Sequence, residues 1–340
     1  MNRSKIEWCD HTWNPITGCL HSCEYCYARL MAKRFAGDIR LNKMAKSDYR
    51  LVPAADESGE LYVLDKPMLN ETGTSLVYPF GFEPTLHRYR YKTIDTLKNG
   101  HNIFVGAMAD VFGAWVPDEW IKEVMQECVK RPQHNYLFLT KNPNRYIASG
   151  VPTEYSNIWY GTTITGPGDM DRMAALIMDG KTFVSIEPLH QKLEKNDIQL
   201  ICKLSEWVII GAETGRSKNK VLPKFEWIKD IVLEADNAGI PVFMKDSLIP
   251  IVGEENMRRE FPEELKRKIL SKKLQNKLYN TCCICKEQKK KQDMITLLGR
   301  RYRNTQPKQY GFMCEKCFES FCNTNSIAIP EFKKNGGLTE

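Results

Sequence analysis

Three cysteines near the start of the chain constrain its fold and chemistry more than any other feature. Cys19, Cys23 and Cys26 are spaced Cys-x3-Cys-x2-Cys. Three thiolates this close together converge only if the loop that carries them wraps around a soft metal centre. A cubane iron–sulfur cluster normally takes four thiolates, so a local set of three leaves one iron open to another ligand. The spacing therefore predicts a [4Fe-4S] cluster bound by the loop at residues 19–26.

A zinc site is the alternative interpretation of the same cysteines. Structural zinc is held by four tetrahedral ligands, so a zinc site would need a fourth ligand close to the loop. Cys9 and His21 are the two candidates nearby. A third interpretation, three unrelated buried cysteines, requires no metal.

The composition is that of a soluble globular protein of 340 residues. It contains 12 cysteines, some in clusters with the spacing of metal ligands, and no secretory signal peptide is recognisable. We therefore expect a reducing, cytoplasmic location with bound metals, not disulfides. No apolar run approaches the roughly 20 residues that a membrane span needs, so no membrane association is expected.

The positive charge is concentrated near the end of the chain. The net charge is +7, but residues 254–340 contain 19 Lys and Arg against 11 Asp and Glu, whereas the preceding residues contain 30 against 31. Such an asymmetry indicates an acidic partner, of which nucleic acid is the most common. A solvated helix face is the alternative.

Short apolar runs alternate with amphipathic stretches from residue 102 onward, which is typical of βα units and a parallel sheet. An earlier stretch, from about residue 38 to 99, has little periodicity and is interpreted as an insertion. The pattern predicts an α/β protein, although periodicity alone does not separate a barrel from a doubly wound sheet. The predicted strands are residues 12–16, 103–108, 136–140, 158–163, 182–186, 207–211 and 241–245.

Polar residues follow almost every predicted strand. The carboxyl ends of parallel strands lie at one edge of the sheet, where active sites form. Each of these residues could instead cap the next helix or point to solvent. The candidates are Asp110, Lys141, Thr163, Ser185, Glu187, Glu213 and Lys245.

Two further Cys-x2-Cys pairs lie in the basic C-terminal region. They are Cys282 with Cys285, and Cys314 with Cys317. Four thiolates in this arrangement predict a structural zinc site that stabilises a small module following a basic helix at about residues 262–278. A second iron–sulfur cluster that recruits Cys283 or Cys322 is the alternative.

The cysteine loop resembles that of the radical S-adenosylmethionine (SAM) superfamily, Cys-x3-Cys-x-aromatic-Cys, with Tyr25 as the aromatic residue. This resemblance implies a partial TIM-like (βα) barrel at residues 1–249, with the loop after the first strand. The basic helix and the two Cys-x2-Cys pairs indicate a separate module at 250–340. The resemblance implies that Cys19, Cys23 and Cys26 bind the cluster. It also implies that SAM chelates the open iron and is cleaved to a 5'-deoxyadenosyl radical.

The same resemblance assigns roles to the strand ends. Tyr25 would lie near the adenine of SAM, and Gly106, Met108 and Asp110 would hold its amine. Thr163 and Ser185, together with Glu187, would reach the ribose and carboxylate. The remaining candidate catalytic residues are Lys141, Glu187, Glu213 and Lys245.

A closer resemblance, from about residue 6 to 247, is to an uncharacterised phage-associated family with a three-cysteine motif and no known substrate. It includes the stretches Phe82–His87, Phe104–Phe112, Leu139–Lys141 and Ser185–Leu189.

We therefore expect a radical SAM enzyme that acts on a nucleic acid or nucleotide and takes its electron from a donor such as flavodoxin or ferredoxin. The alternatives are a non-catalytic iron–sulfur protein that binds nucleic acid, and a radical SAM enzyme that acts on a small molecule or peptide.

Overall fold

The computed structural model describes residues 3–98, 100–214, 220–266, 279–281, 288–290, 294–299, 308–314, 316–317 and 320. The chain divides into two compact units, Met1–Ile251 with Arg258–Arg267, and Val252–Met257 with Lys268–Glu340. Within the described part, no helix is both long and apolar enough to cross a membrane.

The described residues form strands, α-helices and short 3-10 segments. The strands are β1 His11–Trp13, β2 Ile16–Thr17, β3 Arg50–Pro53, β4 Glu60–Leu64, β5 Thr85–His87, β6 Asn102–Val105, β7 Asn135–Thr140, β8 Ile158–Thr163, β9 Lys181–Ile186, β10 Val208–Ile210, β11 Val242–Met244, β12 Tyr279–Thr281, β13 Gln288–Lys290, β14 Met294–Gly299 and β15 Lys308–Cys314. The α-helices are α1 Tyr27–Arg34, α2 Ile39–Met44, α3 Asp118–Val129, α4 Asn144–Ala148, α5 Lys195–Leu204, α6 Phe225–Ala238 and α7 Ile249–Val252. Short 3-10 segments lie at Lys46–Asp48, Arg88–Thr96, Pro167–Leu176, Asp246–Leu248, Glu254–Asn256 and Glu263–Leu265.

A parallel sheet of seven strands forms the centre of the first unit. Its order is β1-β6-β7-β8-β9-β10-β11, and each neighbouring pair is parallel. The strands are almost entirely buried, as expected when a parallel sheet is covered on both faces. The prediction of six strands from residue 103 onward is confirmed. The prediction for the first strand was too long, because β1 ends at Trp13 and Ile16 belongs to a different sheet.

The sheet curls into a half-barrel around the side chain of Trp8. The Trp8 ring lies 4.7 Å from the ring of Phe104 on β6 and 6.1 Å from that of Phe183 on β9. Strands β6 and β9 are three positions apart in the sheet, and in a flat sheet their axes would be separated by roughly 14 Å. One indole can reach both rings because the sheet is curved, and Trp8 fills the concave side.

Amphipathic helices connect the strands. The sequence pattern predicts helices at residues 118–131 and 224–237, and α3 and α6 lie there. Helix α6 is followed by Gly239, which has φ +69°. The prediction missed α5, whose first turn is stabilised by reciprocal side-chain and backbone hydrogen bonds of Glu194 and Asp197. The sequence pattern also predicts a helix at residues 168–178, but this stretch is a series of 3-10 turns that begins at Pro167.

The region interpreted as an insertion contains a second sheet. Its strand order is β2-β5-β4-β3. Tyr62 on β4 stacks on Phe80 with ring centroids 3.8 Å apart, and Leu64 and Met68 complete this small core. Strand β2 comes directly before the three cysteines, so the second sheet and the cysteine loop are continuous in the chain.

The second unit contains two described antiparallel strand pairs, β12 with β13 and β14 with β15. The predicted zinc ligands Cys282 and Cys285 lie outside the described residues, as do residues 267–278 of the predicted basic helix. Cys314 is the last residue of β15, and Cys317 is partly buried. The zinc site remains a prediction.

The first prediction concerns Glu123 on α3, which joins the second sheet to the helical layer. Its carboxylate accepts hydrogen bonds from Arg88 at 2.8 and 2.6 Å and from Tyr91 at 2.9 Å. Burial raises the pKa of Glu123, but these hydrogen bonds lower it below the ordinary value overall. Glu123→Gln should reduce the free energy of unfolding by about 1 kcal/mol at pH 7.

Urea denaturation from pH 3 to 8 tests this, with Glu71→Gln in an exposed turn as the control. The stabilisation by Glu123 is present above the unfolded pKa of about 4.3 and is lost as the pH falls through the lower folded pKa. A difference between wild type and Glu123→Gln that does not change with pH would contradict this account.

Candidate functional site

A cavity of about 260 Å³ opens at the carboxyl ends of the parallel strands. Its walls combine the cysteine loop with residues that follow β6, β7, β9, β10 and β11, and Trp8 lies among them. The predicted site residues that line it are Cys19, Cys23, Tyr25, Cys26, Gly106, Asp110, Lys141, Thr163, Glu187, Glu213 and Lys245.

Two predicted residues are not part of the cavity wall. Met108 is buried against Ala28 and Ala32 of α1. Ser185 is buried within β9. Strand β9 ends at Ile186, so Ser185 lies within the strand, whereas Glu187 follows it and lines the cavity.

The cysteine loop is held by backbone hydrogen bonds at its first residues. The Gly18 N–H donates to Met108 O at 2.8 Å, and the Cys19 N–H donates to Phe82 O at 3.2 Å. Gly18 has φ +88°, and an added Cβ would overlap the Glu83 carbonyl group. Glycine is therefore required here for conformation and for space.

The Asp110 carboxylate is the polar centre of the site. Its Oδ1 accepts from the Phe112 N–H at 3.0 Å and the Thr140 hydroxyl at 2.7 Å. Its Oδ2 accepts from His21 Nε2 at 2.8 Å and the Lys141 N–H at 3.0 Å. Burial raises the pKa of Asp110, but the hydrogen bonds and charge of His21 and the donors from Thr140 and Lys141 lower it overall. Asp110 thus ties the cysteine loop, through His21, to the ends of β6 and β7.

Tyr25, between the second and third cysteines, is held by two strand ends. Lys141 Nζ donates to the Tyr25 hydroxyl at 2.6 Å, and His190 packs edge-on against the Tyr25 ring at 5.3 Å. Burial raises the pKa of Tyr25 and lowers that of Lys141. On its other side, His190 Nε2 lies 3.1 Å from Glu213 Oε2.

Glu187 and Lys245 form an ion pair across the cavity wall. Both side chains are mostly buried, with exposed fractions of 24% and 19%. A Cβ added to Gly211 would approach the Glu187 side chain to 3.0 Å, so the glycine gives Glu187 its space. A paired acid and base next to thiols can bind a ligand that carries both charges.

Sequence reasoning missed His21 and His190 as functional partners. His21 was weighed only as a fourth zinc ligand, although its position between Cys19 and Cys23 places it in the loop. His190 follows the Ser185–Leu189 stretch directly. Its proximity to the strand-end glutamates was the available signal.

The fold and the site define a mixed α/β protein with a curled parallel sheet and a cysteine-lined cavity at the strand ends. A family described as "Protein of unknown function (DUF5131)" matches residues 3–304, so the chain belongs to this family. A search of curated proteins finds no match.

Three similar solved structures are mutants of spore photoproduct lyase. One, with a tyrosine replaced by phenylalanine, has a TM-score of 0.40 and 9% identity, covering 67% of this chain and 74% of its own. Another, with a cysteine replaced by serine, has a TM-score of 0.39 and 9% identity, covering 95% and 74%. A double mutant with bound AdoMet and dinucleoside spore photoproduct has a TM-score of 0.37 and 10% identity, covering 93% and 72%. This likeness is too distant to assign an activity.

The second prediction concerns Gly18. Gly18→Ala should displace the cysteine loop, because the new methyl group overlaps the Glu83 carbonyl and alanine disfavours φ +88°. Cys19 is a partly buried thiol. Its burial and, to a smaller extent, the nearby charge of Asp110 raise its pKa to about 12. Its alkylation by iodoacetamide at pH 8 should accelerate several-fold in the variant.

Mass spectrometry of the Cys19 peptide measures the rate. Gly73→Ala is the matched control, since Gly73 has φ +76° but no neighbouring atom within 4 Å of an added Cβ. If Cys19 reacts equally fast in all three proteins, Gly18 does not set the loop.

Proposed function

We propose that this protein is a radical SAM enzyme whose cysteine loop holds a [4Fe-4S] cluster. The observation that carries the proposal is that Cys19, Cys23 and Cys26 line one cavity together with charged strand-end residues. Three thiolates are a suitable donor set for a cubane cluster, in which each binds a separate iron. Among the described residues, no three His, Cys, Asp or Glu side chains are grouped to hold a single metal ion.

We infer that an amino-acid ligand binds in the same cavity, beside the loop. When bound, the cluster and SAM supply the one-electron reductive cleavage that produces a 5'-deoxyadenosyl radical. The Glu187 and Lys245 pair offers an acceptor for the amine of SAM and a donor for its carboxylate. Tyr25, fixed by Lys141 and His190, offers an aromatic face for the adenine.

The role that we propose for Asp110 differs from the one that the resemblance implies. Both of its oxygens already accept two hydrogen bonds from protein groups. A carboxylate satisfied in this way orients the loop and β7 more readily than it binds the SAM amine. We therefore assign Asp110 to positioning, with His21 as its partner in the loop.

The substrate class that we propose is nucleic acid. The support is the excess of Lys and Arg over Asp and Glu in residues 254–340, far along the chain from the cysteine loop at residues 19–26. In the sequence of this region, Tyr302 is flanked by Arg300, Arg301 and Arg303. Alternating basic and aromatic residues are typical of surfaces that bind phosphates and stack bases.

The third prediction tests the cluster and SAM cleavage. After anaerobic reconstitution, the wild type should contain about four irons per chain, the number in one cubane cluster. It should also release 5'-deoxyadenosine when dithionite and SAM are added. Cys19→Ala, Cys23→Ala and Cys26→Ala should each lose the cluster. Cys202→Ala, a buried cysteine of α5, should retain it.

Iron and sulfide analysis, visible absorption and chromatography of the nucleoside give the measurements. A fully loaded wild type that yields no 5'-deoxyadenosine would favour a non-catalytic iron–sulfur protein. Retention of the full cluster by all three motif variants would reject the site itself.

The fourth prediction tests nucleic-acid binding in the full-length chain. Replacing Arg300, Arg301 and Arg303 with Ser should weaken binding of a labelled oligonucleotide and flatten its dependence on salt. Each lost phosphate contact lowers the slope of log affinity against log salt by about 0.7 to 0.9. The triple variant Lys229→Ser, Lys333→Ser and Lys334→Ser, which also removes three positive charges, is the control for net charge.

Fluorescence anisotropy at several salt concentrations, with single- and double-stranded oligonucleotides, measures both quantities. Equal affinities and equal slopes for the wild type and the triple arginine variant would show that Arg300, Arg301 and Arg303 do not bind nucleic acid.

A further inference from the structure

Helix α1 exposes the face that a surface helix normally buries. Tyr27, Leu30, Met31, Arg34 and Phe35 have the spacing i, i+3, i+4, i+7 and i+8, which places them on one stripe of the helix. The helix instead buries Ala28 and Ala32, which pack on Met108. The stripe faces solvent, with exposed fractions of 53% for Tyr27, 72% for Leu30, 42% for Met31 and 46% for Phe35.

The following helix continues this exposure. Helix α2 buries none of its residues and exposes Leu41 and Met44. The Asn42 side chain of α2 donates to Ala36 O at 3.1 Å, which fixes α2 beside the end of α1. A segment of 18 residues thus carries several large exposed apolar side chains. Exposed apolar residues grouped in this way mark an interaction surface.

The charge of the same segment is positive. Residues 27–44 contain Arg29, Lys33, Arg34, Arg40 and Lys43, of which Lys43 is paired with Glu83 at 2.6 Å. The one acidic residue in that range is Asp38, and its carboxylate accepts from the N–H groups of Arg40 and Leu41 at the start of α2. The apolar stripe is therefore bordered by positive charge, which is complementary to an acidic partner.

The stripe lies next to the proposed cluster site. Helix α1 begins at Tyr27, directly after Cys26, and Cys26 packs against the buried face of the same helix. The Tyr27 side chain belongs to both regions, since it lines the cavity and is half exposed. Electron tunnelling weakens steeply with distance, so a protein that reduces a group at Cys26 must dock near this position.

We propose that the exposed face of α1, extended by α2, docks an acidic protein that carries a one-electron flavin or iron–sulfur cofactor. The inference rests on the proposed function. In the step, the carrier is oxidised by one electron and the cluster is reduced by one electron, and no bond or proton is exchanged at the interface. The surface suits a small, transient contact, as electron-transfer partners form.

The composition of the stripe favours a protein over a nucleic acid. Leu30 and Met31 offer aliphatic area, whereas nucleic-acid surfaces combine basic groups with aromatic rings that stack on bases. Protein interfaces are enriched in aromatic residues, Met and Arg. Tyr27, Met31, Arg34 and Phe35 match that composition.

The test uses a double variant of full-length protein, Leu30→Asp with Arg34→Glu. These residues are one helical turn apart, and neither lines the cavity. The matched control is Lys229→Glu with Leu233→Asp on α6, which has the same spacing and comparable exposure. Circular dichroism and thermal melts establish that both variants fold.

The probe is an acidic flavodoxin, and its Kd is measured by calorimetry with and without reconstitution of the cluster. We expect the α1 variant to raise the Kd at least tenfold and to slow reduction of the cluster by reduced flavodoxin, whereas the α6 control matches the wild type. Reduction by dithionite, which needs no docking surface, should be unchanged in all three proteins. Higher salt should weaken wild-type binding more than that of the α1 variant.

Equal flavodoxin affinity in the α1 variant and the wild type, or no binding to the wild type by either flavodoxin or an acidic ferredoxin, overturns the proposal. Loss of duplex DNA binding with flavodoxin binding intact also overturns it and assigns the face to nucleic acid. The proposed function is tested independently of the docking surface, and it is wrong if dithionite and SAM give no 5'-deoxyadenosine. If flavodoxin binding depends on α1 but the protein does not cleave SAM, the docking surface is supported and the proposed function is rejected.

Discussion

The site depends on the hydrogen bonds that the buried carboxylate of Asp110 accepts. A buried charge is tolerated only when hydrogen bonds replace the water that it has lost. Asp110 obtains four donors, from His21 in the cysteine loop, Phe112 after β6, and Thr140 and Lys141 at the end of β7. Because removing any donor leaves the charge partly unpaired, these three segments are held at fixed distances from one another.

This constraint also orders the groups that face the cavity. Lys141 gives its backbone N–H to Asp110 and its side chain to the Tyr25 hydroxyl. The loop is thus attached to the strand ends at two positions, through His21 to Asp110 after β6 and through Tyr25 to Lys141 after β7. Its cysteines lie close to these attachments, so a group bound by them would meet prearranged charges and an oriented aromatic ring. Such preorganisation reduces the reorganisation that a reaction in the cavity requires.

The sequence was sufficient to predict six of the seven strands of the parallel sheet and the polar residues that follow them. Buried parallel strands appear as continuous apolar runs, and the first polar residue after each run marks the mouth of the sheet. Lys141, Glu187 and Lys245 were found in this way, and all three line the cavity. The cysteine loop was predicted from local spacing alone, which needs no knowledge of distant contacts.

The remaining features depend on contacts that are remote in the chain. Strand β2 has two residues, and it pairs with β5 some 70 positions away, so no local period indicates it. The His21 and Asp110 contact joins residues that are 89 positions apart. Burial of Trp8 between Phe104 and Phe183 likewise exists only after the sheet curls. A pattern of residue types specifies which groups are available, but the tertiary structure selects the partners.

Helix α1 connects the chemistry of the cavity to the outer surface of the protein. Its buried face consists of Ala28 and Ala32, whose small side chains allow the helix to approach Met108 closely. A larger buried face would have moved α1, and with it Cys26, away from the end of β6. The close approach leaves Leu30 and Met31 largely exposed, although burying either would stabilise the fold by about 1.5 to 3 kcal/mol. The geometry that fixes the cysteines therefore also produces the exposed apolar stripe, and a partner that covers it would recover this free energy next to the third cysteine.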